Sequence, residues 1–159
     1  MLPAACRVPQ SLLLRDFHAG NLMYLADRPG VGACGLLDFQ DAGLGPVTYD
    51  LVSLLEDARR DLPDGLRGEM LARYHAAFPE IDSHAFDASC AVLAAVRHMR
   101  IIAVFARLAT EAGKPGYLTH LPRVWRLLEA RLTEPALAPV RGWLDRHLPA
   151  AHRTAPPLG

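Results

Sequence analysis

Two short segments, LLLRDFHAGNLM at residues 12–23 and GLLDFQD at residues 35–41, carry the pattern from which the fold of this chain is predicted. In each, a polar island interrupts apolar residues, as expected where a loop joins strands. The strand candidates are residues 11–14, 22–25 and 34–37. The turn sequence ADRPG separates the last two, so we expect them to form a hairpin. GVGACG at 30–35 matches GxGxxG, but a turn precedes it and a strand follows, which predicts hairpin glycines rather than a nucleotide cradle.

The remainder of the chain has helical spacing. From Gly45 onward apolar residues recur every three or four positions. This pattern predicts helices near residues 51–58 and 66–74, and longer ones at about 84–112, 121–132 and 136–147. Gly113 and Pro115 end the longest helix. The expected fold class is therefore α+β and mostly α, with a small β-hairpin region followed by a helical bundle.

Composition excludes several classes of function. The 159 residues carry 17 basic and 17 acidic side chains, a balance that argues against nucleic acid and anionic membranes as partners. The apolar runs are interrupted by arginine and are too short to span a bilayer, so we expect no membrane segment. The three cysteines form no CxxC pair, which favours a reducing, cytoplasmic location.

Three oxygen-bearing side chains stand at the ends of the predicted strands. Asp16 and Asn21 are five positions apart in one loop, and Asp38 follows the hairpin. Mg²⁺ prefers oxygen ligands, and phosphoryl transfer also needs a carboxylate that orients the attacking hydroxyl. The order matches the Asp-x₄-Asn loop and DFG-type Asp of protein kinases. A turn-capping role for Asp16 is the simpler alternative.

These residues resemble the C-terminal lobe of the aminoglycoside phosphotransferase and choline kinase-like superfamily. Four further segments are similar to the anomeric sugar kinases of cell-wall recycling, which phosphorylate N-acetylmuramate and N-acetylglucosamine: DFQDA at 38–42, GPVTYDLVSLL at 45–55, IAVFARL at 102–108 and GKPGYL at 113–118. The resemblance extends over about residues 10–147.

The resemblance implies a protein-kinase-like C-lobe, with ATP and Mg²⁺ as cofactors and a small hydroxyl compound, an amino sugar, as substrate. It makes Asp16 the catalytic base and Asn21 and Asp38 the magnesium ligands. It also makes Asp50 a brace that binds the backbone of the catalytic loop. The alternative for Asp50 is a first-turn acid favoured by the helix dipole, and the sequence leaves the two roles open.

The implied lobe occupies residues 1–149, with the catalytic loop and metal-binding hairpin at 10–45, the helical part at 46–149 and a flexible tail at 150–159. Only fifteen residues precede Asp16, and the sole lysine, Lys114, lies far downstream. We therefore expect the N-lobe, with its Gly-rich loop and strand lysine, to be absent, and a missing N-lobe or a partner chain to cover the exposed lobe face. Leu14 stands where the family usually has His.

Other polar and aromatic residues have alternative interpretations. We expect His18 to pack within its loop rather than to contact phosphate. Three arginines are expected on a solvated helix face: Arg97, Arg100 and Arg107. The alternative is that they contact a sugar carboxylate. A surface or groove position is expected for His98, and an exposed helix end for Glu56 and Asp57. Packing positions are expected for Trp125 and Trp143.

Two classes of function follow from the sequence. The first is an ATP-dependent sugar kinase, present as its catalytic lobe. The second is a non-catalytic binding or regulatory remnant, which Leu14 and the short N-terminus favour. A hydrolase with a metal cluster at Asp16, Asp38 and Asp41 is a third and more distant possibility.

Overall fold

The computed structural model describes residues 2–155 as two small antiparallel sheets followed by a helical body. The strands are β1 Gln10–Leu13, β2 Leu22–Tyr24, β3 Cys34–Leu36 and β4 Gly43–Pro46. The helices are α1 Leu2–Ala5, α2 Thr48–Leu55, α3 Leu66–Ala77, α4 Ser83–Thr110, α5 Leu121–Arg131 and α6 Ala138–His147. All five predicted helices are present, and the α+β, mostly helical prediction is confirmed.

The predicted hairpin is the β2–β3 pair. Leu22 faces Leu36 and Tyr24 faces Cys34 across antiparallel strands. The glycine-rich segment between them forms a 3-10 turn, Gly30–Ala33, and leads into β3. The GxGxxG match is therefore part of a hairpin, as predicted from its context.

The second sheet contains a strand that the sequence did not indicate. β1 pairs with β4, so that Gln10 faces Pro46 and Leu13 faces Gly43. β4 reads GLGP, which lacks the alternation and β-branched residues of a typical strand. A Cβ at Gly45 would lie 2.7 Å from Leu13 Cδ2, so glycine allows the close approach of the two strands. The pairing positions α2 directly beside the loop that follows β1.

Helix α4 is the centre of the helical body. The carboxylate of Asp82 caps it by accepting a hydrogen bond from the Ala85 amide at 2.8 Å. Along its length α4 packs against α1, α2 and α5. Its small and apolar residues are buried in the two core clusters, among them Phe86, Cys90, Ala91, Val92 and Phe105.

The 28 residues of α4 are also long and apolar enough to cross a membrane, with a mean hydropathy of 1.6 over the most apolar window. The central helix of a folded domain has the same length and composition, and half of that window is buried within this fold. The expectation that no segment spans a membrane therefore stays a prediction.

The expected exposed positions of Glu56, Asp57 and His98 are wrong. Glu56 is 2% exposed, His98 is fully buried and Asp57 is also buried. Glu56 Oε2 lies 2.9 Å from His98 Nε2, and Glu56 Oε1 lies 3.1 Å from Arg67 and 3.6 Å from Arg131. Local spacing did not reveal this cluster because Glu56 and its three partners come from four different segments of the chain.

The expectations for the tryptophans and for the C-terminal tail have mixed outcomes. Trp125 is buried as expected. Trp143 is 58% exposed, and its ring lies against the ring of His147. Of the tail expected from residue 150, the structure describes residues 150–155. There the buried Arg153 side chain pairs with Glu129 and Asp145, while residues 156–159 lie outside the described part.

Candidate active site

The loop that carries Asp16 is held by a carboxylate from helix α2. Asp50 Oδ2 accepts a hydrogen bond from the Leu14 amide at 2.6 Å, and Oδ1 accepts one from the Arg15 amide at 3.0 Å. The bracing role implied for Asp50 is therefore confirmed, and the helix-dipole interpretation does not account for these contacts. Burial raises the pKa of Asp50, and the two backbone hydrogen bonds oppose that rise.

Asn21 joins the same loop from its other end. Its Nδ2 donates to the Asp16 carbonyl oxygen at 2.9 Å, which leaves the amide Oδ1 free to act as a ligand. His18 Nδ1 accepts a hydrogen bond from the Gly20 amide at 3.1 Å and caps the 3-10 turn Ala19–Asn21. His18 therefore packs within its loop as expected, and it also lines the pocket described below.

Asp38 is tied to Asn21 through the backbone. The Leu37 amide donates to the Asn21 carbonyl oxygen at 3.0 Å, and Asp38 follows immediately. Gln40 Nε2 donates to Asp38 Oδ1 at 2.6 Å and orients this carboxylate. The structure therefore brings together the three segments that hold Asp16, Asn21 and Asp38.

Two residues of this region have left-handed backbone conformations. Arg15 has φ 69° and Asp38 has φ 57°, and they are the non-glycine residues with positive φ among residues 2–155. Such conformations are unfavourable for most side chains and persist where surrounding contacts hold them, frequently at functional sites. Here the Asp50 carboxylate holds the Arg15 amide, and the Gln40 amide holds the Asp38 side chain.

A pocket of about 170 Å³ opens beside the Asp16 loop. Its polar lining comes from both halves of the fold: Arg15, Asp16, His18, Tyr49, Arg59, Arg97 and Arg100. Its apolar wall is formed by α4 residues and a loop alanine: Ala58, Ile101, Val104 and Phe105. Asp16 thus faces a cavity with a cationic wall and an apolar wall.

The expected solvated position of Arg97 is wrong. Its residue is 9% exposed, and its Nη1 has no hydrogen-bond partner among the described residues. Arg100 lies at the pocket with its side chain exposed, and Arg107 is exposed outside it, as expected. Burial lowers the pKa of Arg97, while the Tyr49, Asp57 and Asp16 groups oppose this effect.

A signal for the burial of Arg97 was present in the sequence. It stands four residues after Leu93 and four before Ile101, so it lies on the apolar stripe of its helix. Tyr49, in the first turn of α2, also lines the pocket and was not singled out from the sequence. It directly precedes Asp50, so the same turn contributes both the brace and a pocket residue.

The donor set suits magnesium. Within residues 2–155 no three His, Cys, Asp or Glu side chains come together as a complete metal site. Mg²⁺ is commonly held by one or two carboxylates together with substrate phosphates and water, rather than by a protein cage. The Asp38 carboxylate and the Asn21 amide oxygen fit such an incomplete set.

Comparison with known proteins places this geometry in a family. A family model described as "Phosphotransferase enzyme family" matches residues 1–86, which include Asp16, Asn21, Asp38 and Asp50. The chain belongs to the phosphotransferase enzyme family. The matched segment thus contains both the braced Asp16 loop and the Asp38 hairpin.

Several curated relatives in this phosphotransferase family are named N-acetylmuramate/N-acetylglucosamine kinase. The protein from Caulobacter vibrioides is 45% identical over 139 residues, which cover 87% of this chain and 38% of that protein. The protein from Pseudomonas putida is 36% identical over 129 residues, or 77% of this chain and 37% of that protein. The protein from Neisseria meningitidis is 37% identical over 131 residues, which cover 77% of this chain and 37% of that protein. The chain thus spans about two fifths of the length of these relatives.

Proposed function

We propose that this chain is the catalytic lobe of an ATP- and Mg²⁺-dependent kinase that phosphorylates an amino sugar, N-acetylmuramate or N-acetylglucosamine, at its anomeric hydroxyl. The observation that carries the proposal is the Asp50 brace, which fixes the Asp16 loop beside a pocket. The names of the relatives support the choice of substrate. The three cysteines, all without a disulfide in the described residues, support a reducing, cytoplasmic setting.

In this proposal Asp16 accepts a hydrogen bond from the sugar hydroxyl, aims its oxygen at the γ-phosphate and takes its proton as transfer proceeds. Asn21 and Asp38 would hold the divalent cation, which would offset the negative charge of the nucleotide phosphates. The apolar pocket wall at Ile101 and Phe105 packs against the sugar and excludes water from the reacting hydroxyl. Positioning, rather than covalent chemistry, supplies the rate enhancement.

An apolar surface on the sheet half supports a further part of the proposal, that an N-lobe or a partner chain covers this lobe. All but two of the exposed large hydrophobic residues lie between residues 12 and 44: Leu12, Met23, Tyr24, Val31, Leu36, Leu37, Phe39 and Leu44. A high density of exposed apolar side chains in one part of a fold is typical of an interaction face. The neutral charge balance favours neither a nucleic acid nor an anionic membrane as the partner.

A non-catalytic, sugar-binding remnant is the alternative. Leu14 favours it, because this residue replaces the His usual in the family and contributes only its backbone amide to the Asp50 brace. The two functions differ in turnover and not in sugar binding. A protein that binds the sugar without forming sugar phosphate would support the remnant.

The test is ADP release by the complete protein with each sugar, in the wild type and in Asp16→Asn. Loss of a general base lowers the rate by roughly 10²- to 10⁴-fold, and we expect a fall within that range. Asp16 is exposed, so the unfolding temperature should not change. Asp87→Asn, an exposed carboxylate on α4 away from the pocket, is the matched control. Wild-type turnover in Asp16→Asn would refute the assignment of this residue.

A further inference from the structure

Arg97 is a buried guanidinium without an anion at its Nη1. It extends from the middle of α4 into the wall of the pocket that contains Asp16. More than nine tenths of the residue is buried, yet Nη1 has no hydrogen-bond partner among residues 2–155. An arginine remains charged even when buried, and an uncompensated buried charge is strongly unfavourable. An anion from outside the described residues is therefore expected beside this guanidinium, in the pocket that it lines.

The carboxylates near Arg97 are engaged with other groups. Glu56 pairs with His98, Arg67 and Arg131. Asp50 binds the amides of Leu14 and Arg15.

Asp57 is engaged in the same way, since its Oδ1 accepts a hydrogen bond from the Arg59 amide at 2.8 Å. The charge of Asp16 raises the pKa of Arg97. Within the described residues, the two side chains form no ion pair within 4 Å. The described carboxylates thus place negative charge around Arg97, which lines the pocket, and none of them forms an ion pair with its guanidinium.

We propose that Arg97 binds a carboxylate of the acceptor sugar and is a specificity-determining residue of this site, with Arg100 as a second cation at the pocket mouth. The inference rests on the proposed function. Arg97 and Arg100 are three residues apart on one helix and line the same pocket. The planar guanidinium suits a carboxylate because it donates two parallel hydrogen bonds.

Of the two sugars in the relatives' names, only N-acetylmuramate carries a carboxylate that Arg97 could bind. N-acetylmuramate is N-acetylglucosamine with a lactyl ether, and this ether ends in a carboxylate. The same guanidinium could instead serve a phosphate oxygen of the nucleotide, which is common to both reactions. The sugar carboxylate is the better match because Arg97 belongs to the cationic and apolar pocket on the α4 side, beside Asp16, where the acceptor hydroxyl must lie.

The experiment compares kcat/KM for the two sugars in the complete protein, in the wild type and in three variants, Arg97→Met, Arg97→Lys and Arg100→Met. Loss of a charge-assisted hydrogen bond lowers affinity by roughly 10- to 100-fold. We therefore expect Arg97→Met to lower the ratio of kcat/KM for N-acetylmuramate to kcat/KM for N-acetylglucosamine by roughly the same factor. Arg97→Lys keeps the charge without the two-pronged geometry and should lie between Arg97→Met and the wild type. Arg107→Met, on the exposed side of the same helix, is the control.

Sugar binding without nucleotide, followed by calorimetry, supplies the second measurement. Weaker binding of N-acetylmuramate alone, with the ratio shifted as above, supports the proposal. An equal loss for both sugars would overturn it, since that result indicates contact with the phosphate or a structural role. If Arg97→Met does not fold, an unshifted ratio in both Arg97→Lys and Arg100→Met overturns it as well. Absence of turnover with either sugar in the wild type would instead refute the proposed function, and this inference with it.

Discussion

The Asp50 carboxylate holds the Arg15 amide at 3.0 Å while Arg15 adopts a left-handed backbone with φ 69°. The same carboxylate holds the preceding amide, that of Leu14, at 2.6 Å. One side chain from the first turn of α2 therefore fixes the conformation of the loop that presents Asp16. The stability of this turn and the position of the proposed base depend on the same two hydrogen bonds.

Replacement of Asp50 by Asn should therefore affect both properties. An amide has one oxygen, so it can accept only one of the two bonds and turns an NH₂ group toward the other amide. We expect a loss of about 0.5–1.5 kcal/mol in the free energy of unfolding, from one lost hydrogen bond to an amide that is partly buried or exposed. Turnover should fall as well, because Arg15 loses the contact that holds its conformation. Urea unfolding and ADP release measure the two effects.

Asp87→Asn removes an exposed carboxylate from α4 and serves as the control for Asp50→Asn. It should leave both the unfolding curve and the rate unchanged. If Asp50→Asn behaved like this control, the brace would have no energetic role.

The buried Glu56 cluster predicts a pH dependence of stability. Burial alone raises the pKa of Glu56, but the His98 hydrogen bond and the charges of Arg131 and Arg67 outweigh it, so the net pKa is lowered from 4.5. Because the folded protein releases this proton more readily than the unfolded chain, Glu56 stabilises the fold above pH 4.5. That contribution is lost as the pH falls from 4.5 through the lower pKa of the folded state.

Glu56→Gln removes this contribution. We expect a loss of about 3 kcal/mol at pH 7, the lower end of the range for breaking a buried pair, because two of the arginine partners are partly exposed. The acid slope of stability below pH 4.5 should also become shallower. Urea unfolding between pH 3 and 7 gives both quantities, with Glu80→Gln as the exposed control. An unchanged slope would argue against a depressed Glu56 pKa.

Thiol reactivity reports on the packing around α4. Burial raises the pKa of the Cys90 thiol to about 12, whereas Cys6 and Cys34 are exposed. Since the thiolate is the reactive form, a thiol reagent at pH 8 should modify Cys6 and Cys34 and spare Cys90 until the protein unfolds. Peptide mass spectrometry after timed labelling distinguishes the three positions. Rapid labelling of Cys90 in the folded protein would show that α4 is less well packed than described here.

Local patterns were sufficient to predict most of the fold. The helices from α2 to α6 and the β2–β3 hairpin follow from apolar spacing and turn residues, and Gly113 and Pro115 ended the long helix near where it does end. β4 was missed because Gly and Pro carry no strand signal, and its pairing with β1 depends on the close approach at Gly45.

The charged interior was the least predictable part. Glu56 and His98 are 42 residues apart, and their pairing arises only when α2 packs against α4. Arg97 has the spacing of a core residue, whereas its charge favours the surface, so its sequence pattern does not decide between the two positions. By contrast, Asp16, Asn21 and Asp38 could be proposed as site residues because the order of residue types along two loops matches a chemical pattern, and their roles stay predictions.

The central claim is that Asn21 and Asp38 act together on one divalent cation beside Asp16. Manganese binding to the complete protein with ADP, followed by electron paramagnetic resonance, tests it most directly. We expect Asp38→Asn and Asn21→Ala each to weaken Mn²⁺ binding by roughly tenfold or more, since even changes outside the ligand shell have effects of that size. Asp27→Asn, in the hairpin turn, should bind Mn²⁺ like the wild type. Mn²⁺ affinity equal to that of the wild type in both site variants would contradict the account.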